Sequence, residues 1–237
     1  MANLTGLERS DYVQAMFAGI ARRYDLMNRL MTAGQDVRWR REVIRRAALP
    51  AAGSLLDLGA GTGDLAKEAS HRYAGCRAVA ADFTLEMMRV GKRRPDGADL
   101  LWSAADALCL PFPKENFDAV VSGFLLRNVS DVRRALQEQY RVLKPGGHLV
   151  CLDTTRPAPG FTAPLVRFHL RVVIPNLGYL VTGSREAYTY LPDSTQAFLS
   201  AEELAERMAG AGFVEIGFRR LMSGTIAIHW GRKLEEE

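Results

Sequence analysis

Cysteine is scarce in this chain of 237 residues: Cys76, Cys109 and Cys151 stand far apart, with neither a CxxC nor a Cys/His pair among them. That pattern argues against a disulfide framework and against structural zinc, and it fits a reducing cytoplasm. Long apolar runs are missing too. No 18-residue stretch is free of charge, and the nearest candidate, 161–181, carries Arg167, His169 and Arg171, so a bilayer span is not expected. The opening residues, MANLTGLERS, lack the apolar run of a signal peptide. There is no internal repeat and no low-complexity linker.

What is present is enough apolar material for a large core: 48% of the residues are hydrophobic, which excludes a disordered or fibrous chain. The net charge is +4, and it is local. Residues 1–50 hold nine arginines (at 9, 22, 23, 29, 38, 40, 41, 45 and 46) against the five acids Glu8, Asp11, Asp25, Asp36 and Glu42, which makes the N-terminal segment a basic face.

The periodicity divides one domain, 1–237, into four parts. Segment 10–48 places Tyr12, Met16, Phe17, Ile20, Leu26, Leu30 and Met31 at helical spacing and predicts two amphipathic helices broken near Gly34. From residue 54 the period changes. SLLDL, RAVAAD, DLLWSA, FDAVVS and GHLVCLD are short apolar runs, and helical stretches at 64–73, 84–94 and 131–143 separate several of them. This βα alternation over 54–154 predicts an α/β, Rossmann-like doubly wound sheet. A Pro145-Gly146-Gly147 turn is expected between the third of those helices and the strand through Asp153. Segment 156–198 is too long for an ordinary connection and reads as a helical cap over a pocket. Within 200–233, FVEIGFRRL and GTIAIHWG predict an antiparallel hairpin around Met222-Ser223-Gly224.

Asp57-Leu58-Gly59-Ala60-Gly61-Thr62-Gly63-Asp64 closes the first strand and opens a helix. The dinucleotide fingerprint would need its third glycine at 64, where Asp64 stands. Two carboxylates beside a helix N-terminus suit a cation better than a pyrophosphate, and S-adenosylmethionine has a sulfonium, an ammonium and no phosphate. Asp82, at the end of the next strand, can accept two ribose hydroxyls, Phe83 can pack against adenine, and Asp106 can accept from the adenine amino group. Each Asp alone also reads as a helix cap or loop residue; together, at successive strand ends, they make a site. The expected cofactor-binding set is Asp57, Gly59, Gly61, Thr62, Gly63, Asp82, Phe83, Asp106, Ala107 and Ser122. The whole pattern resembles the class I S-adenosylmethionine-dependent methyltransferases, which implies a seven-stranded, mostly parallel sheet with an antiparallel C-terminal hairpin.

Absences narrow the acceptor. There is no Asn-Pro-Pro-Tyr loop of amino-methylating nucleic-acid enzymes and no Pro-Cys nucleophile for pyrimidine C5 chemistry, and the basic face lacks interleaved aromatics beyond Tyr24 and Trp39. No nucleic acid partner is expected. Tyr24-Asp25-Leu26-Met27-Asn28-Arg29-Leu30 with Trp39, Gly123 through Arg127-Asn128-Val129 and Asp131, and Arg141-Val142-Leu143-Lys144-Pro145-Gly146-Gly147 resemble the UbiE/MenG family of demethylmenaquinone and ubiquinone C-methyltransferases. So do Tyr188-Thr189-Tyr190-Leu191-Pro192, Ala211-Gly212-Phe213 and the run from Gly224 to His229. The match covers Val13 to Lys233. The chain departs from the family pattern in two places: Gln35-Asp36 where a His is common, and Asp153-Thr154-Thr155 where Glu-Phe-Ser is common.

The resemblance implies C-methylation of a prenylated quinol, demethylmenaquinol to menaquinol first, with a benzoquinol, another phenolic acceptor or a silent cofactor-binding scaffold as alternatives. A ring carbon becomes nucleophilic when the hydroxyl ortho to it ionises, so the site needs a group that stabilises the phenolate. Arg127, permanently cationic, suits that task, and Asn128 can orient the hydroxyl; the other reading of Arg127 is a tie to Asp131. Asp153 is the third catalytic candidate. Tyr24, Asn28, Phe168, Tyr188 and Tyr190 are the candidate acceptor-binding residues, and Leu165, Phe168, Val172, Val173, Ile174, Leu177 and Leu180 either line a channel for the prenyl tail or pack a cap helix. His169 and His229 read as packing residues and His148 as exposed. No metal is implied, since a sulfonium alkylates without one. The basic N-terminal helices are expected to rest on anionic lipid, giving a cytoplasmic, peripherally membrane-associated protein; a homodimer is left open.

Overall fold

The computed structural model describes residues 6–156, 172–182 and 185–235. Its centre is a seven-stranded sheet. The strands are β1 (Ser54–Leu58), β2 (Arg77–Asp82), β3 (Leu101–Ala104), β4 (Phe117–Gly123), β5 (Leu143–Thr154), β6 (Val214–Leu221) and β7 (Ile226–Arg232), in the spatial order β3-β2-β1-β4-β5-β7-β6. The first five run parallel; β7 is antiparallel to β5, and β6 to β7. The expected α/β architecture and the closing hairpin are both present. The order reverses between β1 and β4, which opens a crevice at their carboxyl ends, where doubly wound sheets bind ligands.

Alternation along the strands explains the layers. Leu56 and Leu58 of β1, with Val120 of β4 and Leu149 and Cys151 of β5, point to one face and bury against helices α6 (Val132–Val142) and α9 (Ala201–Gly210). Leu55, Ala119, Val121, Val150 and Leu152 point to the other, where α3 (Asp36–Arg46) and α4 (Asp64–Arg72) cover them through Trp39, Val43, Ile44, Leu65 and Ala69. A strand whose every residue is buried, as β1 is, needs helices on both sides. α5 (Leu85–Lys92) follows β2.

A smaller cluster lies beyond the sheet. Ile20, Met27, Ile174 and Tyr188 join α1 (Gly6–Ile20), α2 (Tyr24–Met31), α7 (Ile174–Thr182) and α8 (Arg185–Ala197). The N-terminal segment therefore holds three helices, where two were expected. The break at Gly34 is real, with φ +75, but Ala21-Arg22-Arg23 adds a turn that contains neither glycine nor proline to announce it.

Pro145-Gly146-Gly147 is also different from expectation. β5 starts at Leu143, and the register against β4 jumps from Phe117↔Leu143 to Ala119↔His148, so the tripeptide is a bulge inside the strand. Gly146 has φ +76, and a Cβ at Gly147 would lie within 3.0 Å of the carbonyl oxygens of Lys144 and Asp118, which explains the paired glycines. His148, just after the bulge, is half-buried, not exposed. His229 packs as expected, its Nε2 2.9 Å from the Ala201 carbonyl oxygen; His169 lies outside the described residues.

Candidate active site

The loop from Gly59 to Gly63 crosses the crevice between β1 and α4. Gly59 and Gly61 both have positive φ, and a Cβ on Gly59 would come 2.8 Å from Leu125, so the backbone there can lie close to a ligand only as glycine. Asp82 fastens the loop from the next strand: its carboxylate accepts from the amides of Gly61 and Thr84, each at 2.7 Å. One cavity opens over this loop. It is lined by Gly59, Gly61, Asp82, Phe83, Met87, Asp106 and Ala107 and also by Phe17, Tyr24, Phe124 and Asn128. Among the described residues its lining includes two aspartates and neither lysine nor arginine. That charge pattern repels a phosphate and suits a cation.

A second, adjoining cavity is lined by Tyr24, Asn28, Asp57, Thr62 and Asp64, among others. Asp57 is 1% exposed. Its Oδ2 accepts from the amide of Ala66 at 2.9 Å, and its Oδ1 has no hydrogen-bond partner. Burial pushes its pKa up to about 7. Asp64 is a different case. Arg40 lies 2.7 Å from it and Arg94 3.3 Å, so it is already neutralised, and the pair of free carboxylates expected at this helix start reduces to Asp57 alone.

Of the remaining expected cofactor residues, Asp106 is exposed and its Oδ1 accepts from the Leu108 amide at 2.8 Å, leaving its other oxygen for a ligand. Gly63 and Ser122 line neither cavity. Gly63, at φ +82, packs against the Trp102 ring, and Ser122 is buried beside Cys151, whose thiol burial pushes up to about 12.

Helices α1 and α2 cover the crevice, held by polar contacts. Gln14 donates to the Phe83 carbonyl at 3.0 Å, Thr62 donates to Asp25 at 2.8 Å, and Asp25 pairs with Arg94. Tyr24 reaches both cavities; burial raises its phenol pKa, opposed by a hydrogen bond with Asn28. The sequence reading missed Gln14, Asp25, Arg40 and Arg94. Asp25 alone carried a signal, as the neighbour of Tyr24 in the resembling motif.

At the end of β4, Phe124 takes φ +60, unusual for a side-chain-bearing residue and a kind of strain found at functional sites. Arg127 lies beneath it, its guanidinium carbon 5.0 Å from the Phe124 ring centroid. The cation is buried and pairs with Asp153 at 2.9 Å, while its Nε has no partner. The tie is thus to Asp153, not Asp131, which instead caps α6 by accepting from the Arg134 amide. Desolvation raises the pKa of Asp153 and Arg127 opposes it. Both Asp153 oxygens are engaged, by Arg127 and by the Thr154 amide, and neither Arg127 nor Asp153 lines the two cavities. Asn128 does. Its amide donates to the Phe124 carbonyl at 2.9 Å and accepts from the Tyr190 hydroxyl at 3.2 Å.

Tyr188 and Tyr190 are both buried; Leu165 and Phe168 lie outside the described residues. Ile174 and Leu177 turn inward on α7, but Val172, Val173 and Leu180 are exposed, so these three are not walls of an internal channel. The N-terminal basic face is divided as well. Arg40 and Arg41 pair with Asp64 and Glu68, and Arg45 and Arg46 with Glu42, whereas Arg22 and Arg23 have no carboxylate partner among the described residues.

Comparison with known proteins agrees with this geometry. The profile of the ubiE/COQ5 methyltransferase family matches residues 5–233. The chain is 48% identical, over 96% of its length and 92% of the relative's, to the ubiquinone/menaquinone biosynthesis C-methyltransferase UbiE of Desulfotalea psychrophila. It is 44% identical to the demethylmenaquinone methyltransferase of Thermus thermophilus, over 91% of this chain and 99% of that one. Among solved structures, the [4+2]-cyclase SpnF superposes with a TM-score of 0.68 at 20% identity, covering 94% of this chain and 96% of that one. A Haemonchus contortus phosphoethanolamine N-methyltransferase complex with S-adenosyl-L-methionine gives 0.63 at 15% identity, covering 84% and 53%. These structural likenesses concern the fold, since one superposed chain is a cyclase. The near-complete profile match and the extended sequence identity go further: the chain belongs to the ubiE/COQ5 methyltransferase family.

Proposed function

We propose that this methyltransferase transfers a methyl group from S-adenosylmethionine to a ring carbon of a prenylated quinol, converting demethylmenaquinol to menaquinol. The observation that carries the cofactor reading is the cavity over the glycine loop, lined by two aspartates and, among the described residues, by neither lysine nor arginine. The acceptor comes from the relatives' names.

S-adenosylmethionine, when bound, supplies a methyl group activated by a positively charged sulfur. The residues present fit it. Asp82 would accept from its ribose hydroxyls, Phe83 and Met87 would pack on the adenine, Asp106 would accept from its amino group, and the unpartnered oxygen of Asp57 would meet the cationic end. On the acceptor side, Asn128 hydrogen-bonds the quinol hydroxyl, and Tyr190 fixes the direction of its amide. Arg127 is a buried cation immediately behind Asn128 and Phe124, and it stabilises the phenolate that makes the ring carbon nucleophilic. Asp153 holds Arg127 in place. Tyr24, between the two cavities, positions the ring. Tyr188 completes the acceptor site. The protein works while peripherally bound to the membrane that holds the quinol.

The test is a single-turnover assay with labelled S-adenosylmethionine and two reduced acceptors of matched tail length, a demethylnaphthoquinol and a benzoquinol, in mixed micelles. Methyl appearing on the naphthoquinol carbon is the expected result. No transfer to either acceptor, with cofactor binding intact by calorimetry, overturns the reading.

A further inference from the structure

The structure leaves one helix exposed without charge. α7 contains no Asp, Glu, Lys or Arg. Its inner residues Ile174 and Leu177 pack into the cluster formed with α1, α2 and α8. Along its outer side and the turn before it, Val172, Val173, Tyr179 and Leu180 are exposed, Tyr179 by 56% and Leu180 by 79%. Positions 172, 173, 176, 179 and 180 recur at helical spacing, so this is one face. Asn176 is its polar member, and the Asn176 amide donates to the Val172 carbonyl. α2 lies alongside. Its Met27 and Asn28 point inward, whereas Leu26 and Leu30 point outward, Leu26 by 54%.

Two arginines border this apolar face. Arg22 and Arg23 lie one helical turn before Leu26, in an open hollow with Ala18, Gly19 and Ile20. Arg23 donates to the Val181 carbonyl at 2.6 Å, which brings α2 and its arginines to the end of α7. Neither has a carboxylate partner among the described residues. Asp25, on the same helix, is occupied by Thr62 and Arg94. An exposed apolar stripe bordered by arginines that have no carboxylate partner among the described residues is the pattern of a helix lying in a lipid headgroup boundary. No described helix is long and apolar enough to cross a membrane, so the contact is interfacial.

We infer that the outer faces of α7 and α2, namely Val172, Val173, Tyr179, Leu180, Leu26 and Leu30, are the docking surface for an anionic bilayer, with Arg22 and Arg23 on its phosphates. The reading deepens the proposed function and rests on it for the biological reason, a substrate dissolved in lipid. It also has a geometric consequence. α2 carries lipid-facing Leu26 and Leu30 on one side and the cavity-lining Tyr24 and Asn28 on another, so docking sets the acceptor site one helix from the bilayer.

The test uses the full chain and vesicles of phosphatidylglycerol and phosphatidylcholine, with phosphatidylcholine alone as control. Wild-type protein should co-sediment with the anionic vesicles and lose binding as salt rises. Leu26→Glu/Leu180→Glu should weaken partitioning about tenfold or more, and Arg22→Gln should flatten the salt dependence. Leu180→Trp gives a readout that needs no loss of function: its emission should shift to the blue on anionic vesicles. An unshifted spectrum, or undiminished binding by a folded Leu26→Glu/Leu180→Glu variant, overturns the assignment. So does a wild-type dimer that the double variant dissolves, because the stripe is then an interface between two copies. Methylation of a short-tailed quinol in vesicle-free buffer separates the two proposals. The double variant should keep that rate and lose activity only on long-tailed quinol in vesicles, whereas failure of the wild type on the short-tailed quinol counts against the acceptor and leaves the docking surface to the partition data.

Discussion

Asp57→Asn should stabilise the protein at pH 8 and weaken its hold on the cofactor. Asp57 in the folded protein stays protonated up to about pH 7, while in the unfolded chain it ionises near pH 4. Between those values the unfolded chain binds fewer protons than the folded one, so this group makes stability fall as pH rises from about 4 to about 7, and no further above that. Three pKa units correspond to about 4 kcal/mol. The Asn variant escapes that cost, keeps an oxygen for the Ala66 amide, and leaves a buried NH2 facing the unpartnered side, a penalty of about 1–3 kcal/mol. The net gain at pH 8 is about 1–3 kcal/mol, or roughly 3–8 °C in Tm for a chain of this size. At pH 5 the wild-type carboxyl is neutral and the gain should vanish. Cofactor affinity should run the other way: in the wild type it should rise by up to about tenfold per pH unit from 5 to 7 and then level, and in Asp57→Asn it should be weak and flat. Thermal melts and calorimetry at pH 5, 7 and 8 measure both. A difference in Tm that does not change with pH, or wild-type affinity unchanged across pH 5 to 7, would refute the reasoning.

Three further substitutions separate the roles of neighbouring residues. Arg127→Ala leaves Asp153 buried without its cation and should cost about 3–5 kcal/mol of stability in urea unfolding, together with a kcat lower by about a hundredfold at nearly constant cofactor affinity. Adding Asp153→Asn should recover most of the stability and none of the rate, and recovered rate would remove Arg127 from the chemistry. Gly63→Ala forces a Cβ onto a residue at φ +82 and to 2.8 Å from the Trp102 ring, so it should lower stability by about 2–4 kcal/mol; cofactor affinity of the folded protein should stay within about twofold, because Gly63 lines neither cavity. Tyr190→Phe deletes the hydroxyl that orients Asn128 and should reduce kcat about fivefold, the equivalent of one hydrogen bond; an unchanged kcat would show that Asn128 needs no such guide.

The sheet was readable because its signal is local. SLLDL and RAVAAD are short apolar runs buried on both sides, a turn rich in glycine separates the first from α4, and the strand starts and stops fall within a few residues of expectation. Features decided by distant partners were not readable. Asp64 looks like a free carboxylate in sequence, yet its cations are Arg40 and Arg94, brought in by α3 and by the segment after α5. Arg127 has Asp131 four residues away, but the partner the fold selects is Asp153, on the neighbouring strand. Gly61 and Gly63 look equivalent in the loop, and only packing reveals that one faces the cavity and the other the Trp102 ring. For α7 the limit is different in kind: when a helix is apolar all round, periodicity cannot say which face is inside.

That division follows the construction of the site. The cofactor half rides on β1, β2 and β4, whose side chains are fixed from both faces of the sheet. The proposed acceptor half rides on α1, α2, α7 and α8, which share a small cluster of their own and reach the sheet through a few polar contacts: Gln14 to Phe83, Asp25 to Thr62 and Arg94, Arg9 to the Arg127 carbonyl, and Tyr190 to Asn128. Under the proposed function, with a soluble cofactor and a lipid-dissolved acceptor, this separation is a gain, because the two halves answer to different surroundings. The glycine loop obtains rigidity from the buried amide bonds to Asp82 and Asp57, which suits the proposed binding of a cation there. On the proposed reading the helices over it turn an apolar outer face to the bilayer and an inner face to the ring, and α2 has side chains for both within eight residues: Leu26 and Leu30 outward, Tyr24 and Asn28 inward. Asn128 is where the halves meet, since it lines the cavity from the sheet side and takes its orientation from Tyr190 on the helical side.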